Sequence, residues 1–315
     1  MSNPLVSIIT YCFNGERFVH KYFEAILAQT YPNIELIFFN NGSVDKTGQI
    51  AEEYKVKLEN RGVQVQLIHY KENQNTCELK LKGFEMMHGQ FFFGCDSDDN
   101  IHPTYIEEMA GYLESHPEKG IVYCQLNIIQ EETGRLMGIM KSIPKSSPKA
   151  MFEDMLHGRN SMFTAISYMM NKKYYDKLFS DHKIYISRYG ENYQLQLPFL
   201  YNDLQGYIEN PLGDYTVRGD SYSSQLSQDF EKQVNAYKGQ EISILETLEQ
   251  MRIQEKDKYI AIAQKRLRRD RFYASLRIPD AKLRKECYQE LVAVNGATLK
   301  EHLIHYLRPL HLLAK

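Results

Sequence analysis

The residues best suited to chemistry lie in one short stretch, Gln90-Phe91-Phe92-Phe93-Gly94-Cys95-Asp96-Ser97-Asp98-Asp99. An apolar run short enough for a buried strand breaks at Gly94 and empties into three carboxylates within four residues. Like charges that close raise one another's pKa unless something positive sits among them. Oxygen ligands on a turn suit a hard divalent cation, Mg²⁺ or Mn²⁺, whose shell substrate phosphates then complete. The stretch is read as a metal–nucleotide site at the carboxyl end of a central strand. Asp-rich turns also cap helices and sit in water, so the elements around it must decide.

Those elements alternate. Leu5-Val6-Ser7-Ile8-Ile9-Thr10-Tyr11 has the β-branched content of a buried first strand, closed by Asn14-Gly15. Val19, Phe23, Ile26 and Leu27 share one helix face. Pro32 ends that segment, a second strand is expected over 34–39, and Asn40 to Thr47 forms a turn into a helix over 46–59. A third strand over 63–68, a helix over 78–88, the Phe91 strand, a helix opened by Pro103 and a strand over 121–124 follow. Strands and helices at this spacing predict a mostly parallel sheet covered on both faces. Ligands of such sheets bind beyond the carboxyl ends of the strands, where Tyr11, Asn41 and Asp96 fall on three different strands. Residues 141–149, with two prolines and three serines, are expected to form a mobile loop near the site. A helix is expected over 194–204, and the chain reads as helical and highly charged over 229–277.

Composition is that of an ordinary soluble protein: 315 residues, 43% hydrophobic, 25% charged, net charge −2. That balance excludes a whole-protein electrostatic case for nucleic acid. Five cysteines without a C-x-x-C pair argue against a disulfide framework or zinc site and for a reducing compartment. With no basic-then-apolar leader and no apolar run approaching the roughly 20 residues of a bilayer span, a cytoplasmic protein is expected. In the last segment Leu299, Leu303, Tyr306, Leu307 and Leu310 share a helical face. Such a helix is expected to dock on its own protein, leaving at most weak peripheral contact with the inner face of the plasma membrane.

Four pieces now stand in order: Pro4 to Gly15, Gln29-Thr30-Tyr31-Pro32-Asn33-Ile34-Glu35-Leu36-Ile37, Gly42-Ser43-Val44-Asp45-Lys46-Thr47 and Asp96-Ser97-Asp98-Asp99. Together they resemble the family 2 glycosyltransferases, inverting enzymes of the GT-A fold, strongly over about residues 4–115 and weakly over 150–225. No G-x-G-x-x-G follows the first strand, which sets aside a Rossmann dehydrogenase; the same absence argues against a sugar nucleotidyltransferase. The resemblance implies a GT-A domain over 1–225, with a nucleotide-sugar half (1–115) and an acceptor half (116–225), then a helical region over 226–315. It implies that Thr10, Tyr11, Asn14, Asn41, Lys80, Asp96, Ser97 and Arg218 contact the donor. Asn41 takes the base-reading position, usually Asp, where its oxygen can accept the uracil imide N–H; helix capping is the ordinary alternative. Lys80 stands where relatives carry Arg, and a solvated helix face is its ordinary alternative. Asp98, with Asp96, would hold the Mn²⁺ or Mg²⁺ that bridges the diphosphate.

Gly190-Glu191-Asn192-Tyr193-Gln194-Leu195 resembles the family's Glu-Asp-x-x-Leu segment, whose Asp is the general base. Asn192 replaces it and cannot take a proton at neutral pH, so Glu191 becomes the candidate base, against the alternative of a helix N-terminal charge. Arg218 and Ser221, in Val217-Arg218-Gly219-Asp220-Ser221, resemble a loop that closes over the diphosphate. The implied activity is metal-dependent, inverting transfer from a nucleotide-diphosphate sugar, UDP favoured, to a hydroxyl of a glycan or lipid-linked acceptor in surface polysaccharide synthesis. The alternative is a catalytically impaired nucleotide-sugar-binding scaffold within a glycan-assembly complex.

Overall fold

A computed structural model describes residues 3–142, 144, 145, 147, 149–180, 183–187, 189–219 and 221–311, with backbone alone at 222, 223 and 308–311. Positions 143, 146 and 148 of the expected 141–149 loop, Asp220 of the later loop and the Leu310 side chain of the tail stripe lie outside the described residues.

The strands are β1 (Val6–Cys12), β2 (Ile34–Asn41), β3 (Gln64–Tyr70), β4 (Phe91–Gly94), β5 (Asn100–Ile101), β6 (Ile121–Gln130), β7 (Leu136–Met140), β8 (Tyr168–Asn171) and β9 (Gln205–Val217). The helices are α1 (Val19–Leu27), α2 (Thr47–Arg61), α3 (Thr76–Met86), α4 (Tyr105–Ser115), α5 (Ala150–Leu156), α6 (Lys172–Phe179), α7 (Glu191–Tyr201), α8 (Tyr222–Gln228), α9 (Phe230–Gln250), α10 (Lys256–Ser275), α11 (Ala281–Ala293) and α12 (Leu299–His311). They fall into two compact units that interleave along the chain. The first takes residues 1–151, 160–182 and 198–218; the second takes 152–159, 183–197 and 219–315.

The first unit is built on one mixed sheet in the order β3-β2-β1-β4-β8-β6-β9-β5, with β7 added to β6. Its first four positions are parallel, as the alternation of strands and helices requires. Strand β8 then enters antiparallel to both β4 and β6, and β9 runs parallel to β6. Strand β6 continues six residues past the expected Cys124 because β9 pairs it as far as Val217. Every residue of β2 is buried, as a central parallel strand covered on both faces demands. On one face Ile8 and Phe38 meet Phe23 and Ile26 of α1, Leu58 of α2 and Met109 of α4. Truncating a fully buried Phe38 to Ala costs about 3–5 kcal/mol. On the other face α3 lies close enough that a Cβ at Gly83 would stand 2.5 Å from Ile9 Cγ2, and Phe84, Phe92 and Tyr175 pack edge to face.

The second unit carries a small core of Val234, Phe272, Ile278, Cys287, Tyr288 and Leu291. Charge enters it in pairs, with Glu241 accepting from Arg268 at 2.7 Å and Arg271 reaching Glu290 at 2.6 Å. Helix α12 docks on its own protein as expected, but by a different face. Leu299, Leu303, Tyr306 and Leu307 of α12 are all exposed, so the apolar stripe does not dock. The helix is held by its other side, where Glu301 is buried against Thr298 and Tyr273, and His305 stacks on Tyr288 at 3.7 Å. Ring stacking and a satisfied carboxylate fix the helix where an apolar periodicity alone pointed to the opposite face. Among the described residues, no helix is long and apolar enough to cross a membrane.

Candidate active site

Parallel strands deliver their carboxyl ends to one edge, and β1, β2 and β4 end there side by side, with Cys12 beside Asn40 and Ile9 beside Gly94. The loops leaving them are locked by side chains. The Thr10 hydroxyl donates to the Cys95 carbonyl at 2.8 Å and lies 2.5 Å from the Tyr22 hydroxyl. It therefore ties β1 to the carboxylate turn. Asn14 accepts from the Val44 amide at 2.9 Å, while its own amide donates to Ser43 at 2.9 Å. Asp45 accepts from the Glu16 and Thr47 amides, each at 3.0 Å. Burial pushes the Asp45 carboxyl up, but the hydrogen bonds from Thr47 and Glu16 outweigh it and hold the group below the usual range.

Gly42 follows β2 at φ +78, and a Cβ there would stand 2.4 Å from the Glu72 carbonyl carbon, so only glycine lets the two loops meet. Asn41 then reads the other loop's backbone, with its oxygen accepting from Gln74 N at 2.7 Å and its amide donating to Gln74 O at 3.1 Å. It is not a helix cap, since α2 begins after Lys46. Its carbonyl oxygen keeps a second lone pair. Lys80 is also not on a solvated face. Only 7% exposed, its ammonium lies 5.9 Å from the Tyr11 ring centroid, within cation–π range.

The carboxylate turn closes with the Asp99 amide donating to the Asp96 carbonyl at 3.0 Å. Asp98 points out, 35% exposed, and pairs with Arg218 at 2.7 Å. Arg218 itself is only 11% exposed, and its guanidinium carbon lies 4.1 Å over the Phe18 ring. Asp99 turns inward, and its buried Oδ2 has no hydrogen-bond partner among the described residues. Burial first, then Asp96 and Asp98, push its carboxyl well above the carboxylate range, with Arg218 a partial offset. The Ser97 hydroxyl meets the Cys12 thiol, which burial pushes up to about 11. A thiol so protonated is no nucleophile at neutral pH.

The oxygen donors of Asp96 and Asp98 fit a hard cation. Among the described residues no cluster of three or more His, Cys, Asp or Glu side chains forms a ready-made cage. A cation here would complete its shell from phosphate and water, as Mg²⁺ sites do.

The sequence profile described as "Glycosyl transferase family 2" matches residues 7–179, over half of the chain. The chain belongs to glycosyl transferase family 2. A putative glycosyltransferase, EpsH, from Bacillus subtilis (strain 168) is 29% identical over 74% of this chain and 66% of its own length. An uncharacterized glycosyltransferase from Rickettsia typhi is 36% identical over 42% of this chain and 40% of its own. The chain thus spans less than two thirds of these curated relatives. In three dimensions it resembles S. aureus TarS, with a TM-score of 0.64 and 15% identity over 97% of this chain and 51% of that one. It also resembles the mannosyltransferase PcManGT from Pyrobaculum calidifontis, solved with GDP-Man and Mn2+, at a TM-score of 0.56 and 13% identity over 99% and 81% of the two chains. At these identities the likeness establishes the GT-A fold.

This family 2 member groups Thr10, Tyr11, Asn14, Asn41, Lys80, Asp96, Ser97, Asp98 and Arg218 in its first unit. Glu191 and Asn192 open α7 in the second unit. Two features escaped the sequence reading. Phe18 is the shelf under Arg218; its only local signal is an aromatic one residue before the α1 periodicity. Asp214 on β9 accepts from Asn100 at 2.8 Å and Asn127 at 3.0 Å and pairs with His102 at 2.9 Å. Burial raises the Asp214 carboxyl, but those donors bring it down to about 2, and the bond to Asp214 raises His102. The network braces the chain leaving the carboxylate turn against β9. An Asp inside a strand was its only trace in the sequence.

Proposed function

We propose that the chain transfers a sugar from a nucleotide-diphosphate sugar, UDP-sugar favoured, to a hydroxyl of a glycan or lipid-linked acceptor, with residues 1–115 taking the donor and 116–225 the acceptor. The observation that carries this is the Asp98–Arg218 pair at the carboxyl end of β4, beside the ends of β1 and β2, in a family 2 chain. Tyr11, Lys80 and Asn41 surround the base, and Asn41 offers its remaining lone pair to the uracil imide. Asp98 and Asp96 would hold a Mn²⁺ or Mg²⁺ ion, whose charge would offset that of the leaving diphosphate. Arg218, fixed on Phe18, adds a guanidinium where that charge grows. Glu191 removes the proton of the attacking hydroxyl, and one displacement inverts the anomeric carbon. Support comes from the curated relatives' names, from a TarS structure solved with UDP and from PcManGT solved with GDP-Man and Mn2+. We propose surface polysaccharide synthesis at the inner face of the plasma membrane as the setting of this activity.

A thermal-shift panel of UDP, GDP and CDP with Mn²⁺ tests the donor, with UDP expected at least about tenfold tighter, roughly 1.4 kcal/mol. A guanine preference would remove Asn41 from base reading. Single-turnover transfer by Glu191→Gln, with UDP binding alongside, tests the base: transfer should fall by about 10²–10⁴ while UDP affinity holds. Asn192 favours a second reading, a donor-binding scaffold without turnover, and UDP binding by wild type with no transfer would select it, whereas full activity in Glu191→Gln would remove that residue from the mechanism.

A further inference from the structure

Strands β6 and β9 run in register from Ile121 opposite Gln205 to Cys124 opposite Ile208, and then lose it. Gln125 pairs with Pro211 and Leu126 with Gly213, so β9 bulges at Glu209 and Asn210 and again at Leu212. Bulges re-aim side chains and gather beside active sites. Here the double bulge opens a cavity of about 170 Å³, and Tyr123, Gln125, Lys141, Ser142, Tyr207 and Glu209 contribute to its wall. Tyr123 and Tyr207 stand opposite each other in the register and stack at 5.5 Å and 19°. The Tyr207 hydroxyl is buried, has no partner of ordinary geometry among the described residues, and lies near the Ser142 hydroxyl.

The cavity's position relative to the donor loops follows from the sheet. Phe92 of β4 pairs with Met170 of β8, and Tyr168 of β8 pairs with Tyr123. Continuing that register puts Tyr168 level with Gly94, where the carboxylate turn begins. At about 4.8 Å between strands, Tyr123 stands about 10 Å and Tyr207 about 15 Å along that row. The cavity wall therefore stands level with the start of the carboxylate turn, about two to three pyranose widths along the sheet from it.

We infer that this cavity is the subsite for the terminal sugar of the acceptor, and that it takes one neutral pyranose ring. The inference rests on the transferase reading and gives that reading a substrate class. An aromatic wall with a phenol hydroxyl set beside the Ser142 hydroxyl offers a flat apolar face and a polar rim. A pyranose presents axial C–H groups on one face and hydroxyls around its rim, which matches both. Lys141 and Glu209, of opposite sign and both exposed, cancel at the mouth and select against a strongly charged ring. Gln125 supplies a donor and an acceptor for ring hydroxyls.

Saturation-transfer NMR on the full chain tests this with methyl β-D-glucopyranoside and methyl β-D-galactopyranoside, with and without saturating UDP and Mn²⁺. The ring C–H protons of at least one glycoside should receive saturation, and should keep it when UDP fills the donor loops. Tyr207→Ala should cut the effect at least about fivefold, whereas Tyr207→Phe, which keeps the ring, should retain more than about half. Glu209→Trp, an exposed position that closes the mouth, should match Tyr207→Ala and serves if that variant does not fold. No transfer to either glycoside, displacement by UDP, or equal signals in wild type, Tyr207→Ala and Glu209→Trp would overturn the subsite. A UDP thermal shift on the same samples separates the two readings, because its absence would strike the donor site and leave the glycoside result standing.

Discussion

Two buried carboxylates lie at opposite edges of the parallel strands, and the protein treats them in opposite ways. Glu35, at the amino end of β2, accepts from the Ser7 hydroxyl at 2.5 Å, the His88 amide at 2.9 Å and Gln66 at 3.1 Å, with the His88 ring at 2.7 Å. Burial raises its carboxyl, but those donors win and hold it below the usual range. Asp99, at the carboxyl end of β4, is as buried but has an oxygen without a partner among the described residues and two carboxylate neighbours, and is pushed the other way. Burial does not decide the outcome; the donors and charges within reach do. At the amino edge a satisfied network ties β1, β2, β3 and the turn before β4 together. At the carboxyl edge Asp99 Oδ2 has no partner among the described residues and feels the Arg218 charge, the arrangement expected where ligand rather than protein completes the shell.

The sharpest way to break this contrast is Glu35→Ala. It would orphan the Ser7 and Gln66 donors and the His88 amide together, for a loss of about 3 kcal/mol of unfolding free energy by urea titration. Folded Glu35→Ala should still bind UDP with Mn²⁺ to within about twofold. An unchanged stability would show that the amino-edge network is ornamental.

Next in size is the pH dependence of the Asp214–His102 brace. Asp214 sits near 2 when folded against an ordinary 3.8, so its contribution, about 2 kcal/mol, is present above pH 4 and lost as pH falls toward 2. His102 is raised when folded, so its contribution is complete below its ordinary 6.5 and disappears as pH rises through the folded value. Asp214→Asn should flatten both limbs of a stability–pH curve. Retention of the acid limb would assign it elsewhere.

Asp98→Asn probes the carboxyl edge, and there function should suffer while stability holds. UDP affinity in Mn²⁺ should drop at least about tenfold, near 1.4 kcal/mol, to the level that wild type shows in EDTA. Unfolding free energy should stay within about 0.5 kcal/mol, since Asp98 is partly exposed. Equal UDP affinity in wild type with and without divalent cation would sink the metal role. Smallest is Asp99→Asn, which removes one of three like charges and should stabilise the unliganded protein by about 1 kcal/mol at neutral pH. Destabilisation would mean that the buried carboxyl has a structural donor role instead.

Much of this was legible in the linear chain. Apolar β-branched runs separated by helix-period segments are local patterns, so the wound sheet, the exposed ends of its strands and the crowding of Asp96, Asp98 and Asp99 could be read directly. The motif Gly42 to Thr47 was legible too, because φ > 0 at Gly42 and the donors around Asp45 are short-range demands. Partnerships over long separations were not. That Arg218 meets Asp98 across 120 positions of chain, that Lys80 is buried beside Tyr11, and that Asn41 spends its amide on Gln74 depend on which strands become neighbours. The α12 stripe shows the reverse failure, an apolar period without a surface to meet it, overruled by Glu301 and His305. The sheet order and the double bulge in β9 are likewise collective, since register is set by the partner strand and not by the residues of one strand alone. Sequence by itself determined the chemistry available at the strand ends. Tertiary structure decided which of those groups are satisfied and which are left for a ligand, because hydrogen bonds and charge pairs act over a few ångströms of space that the chain order does not specify.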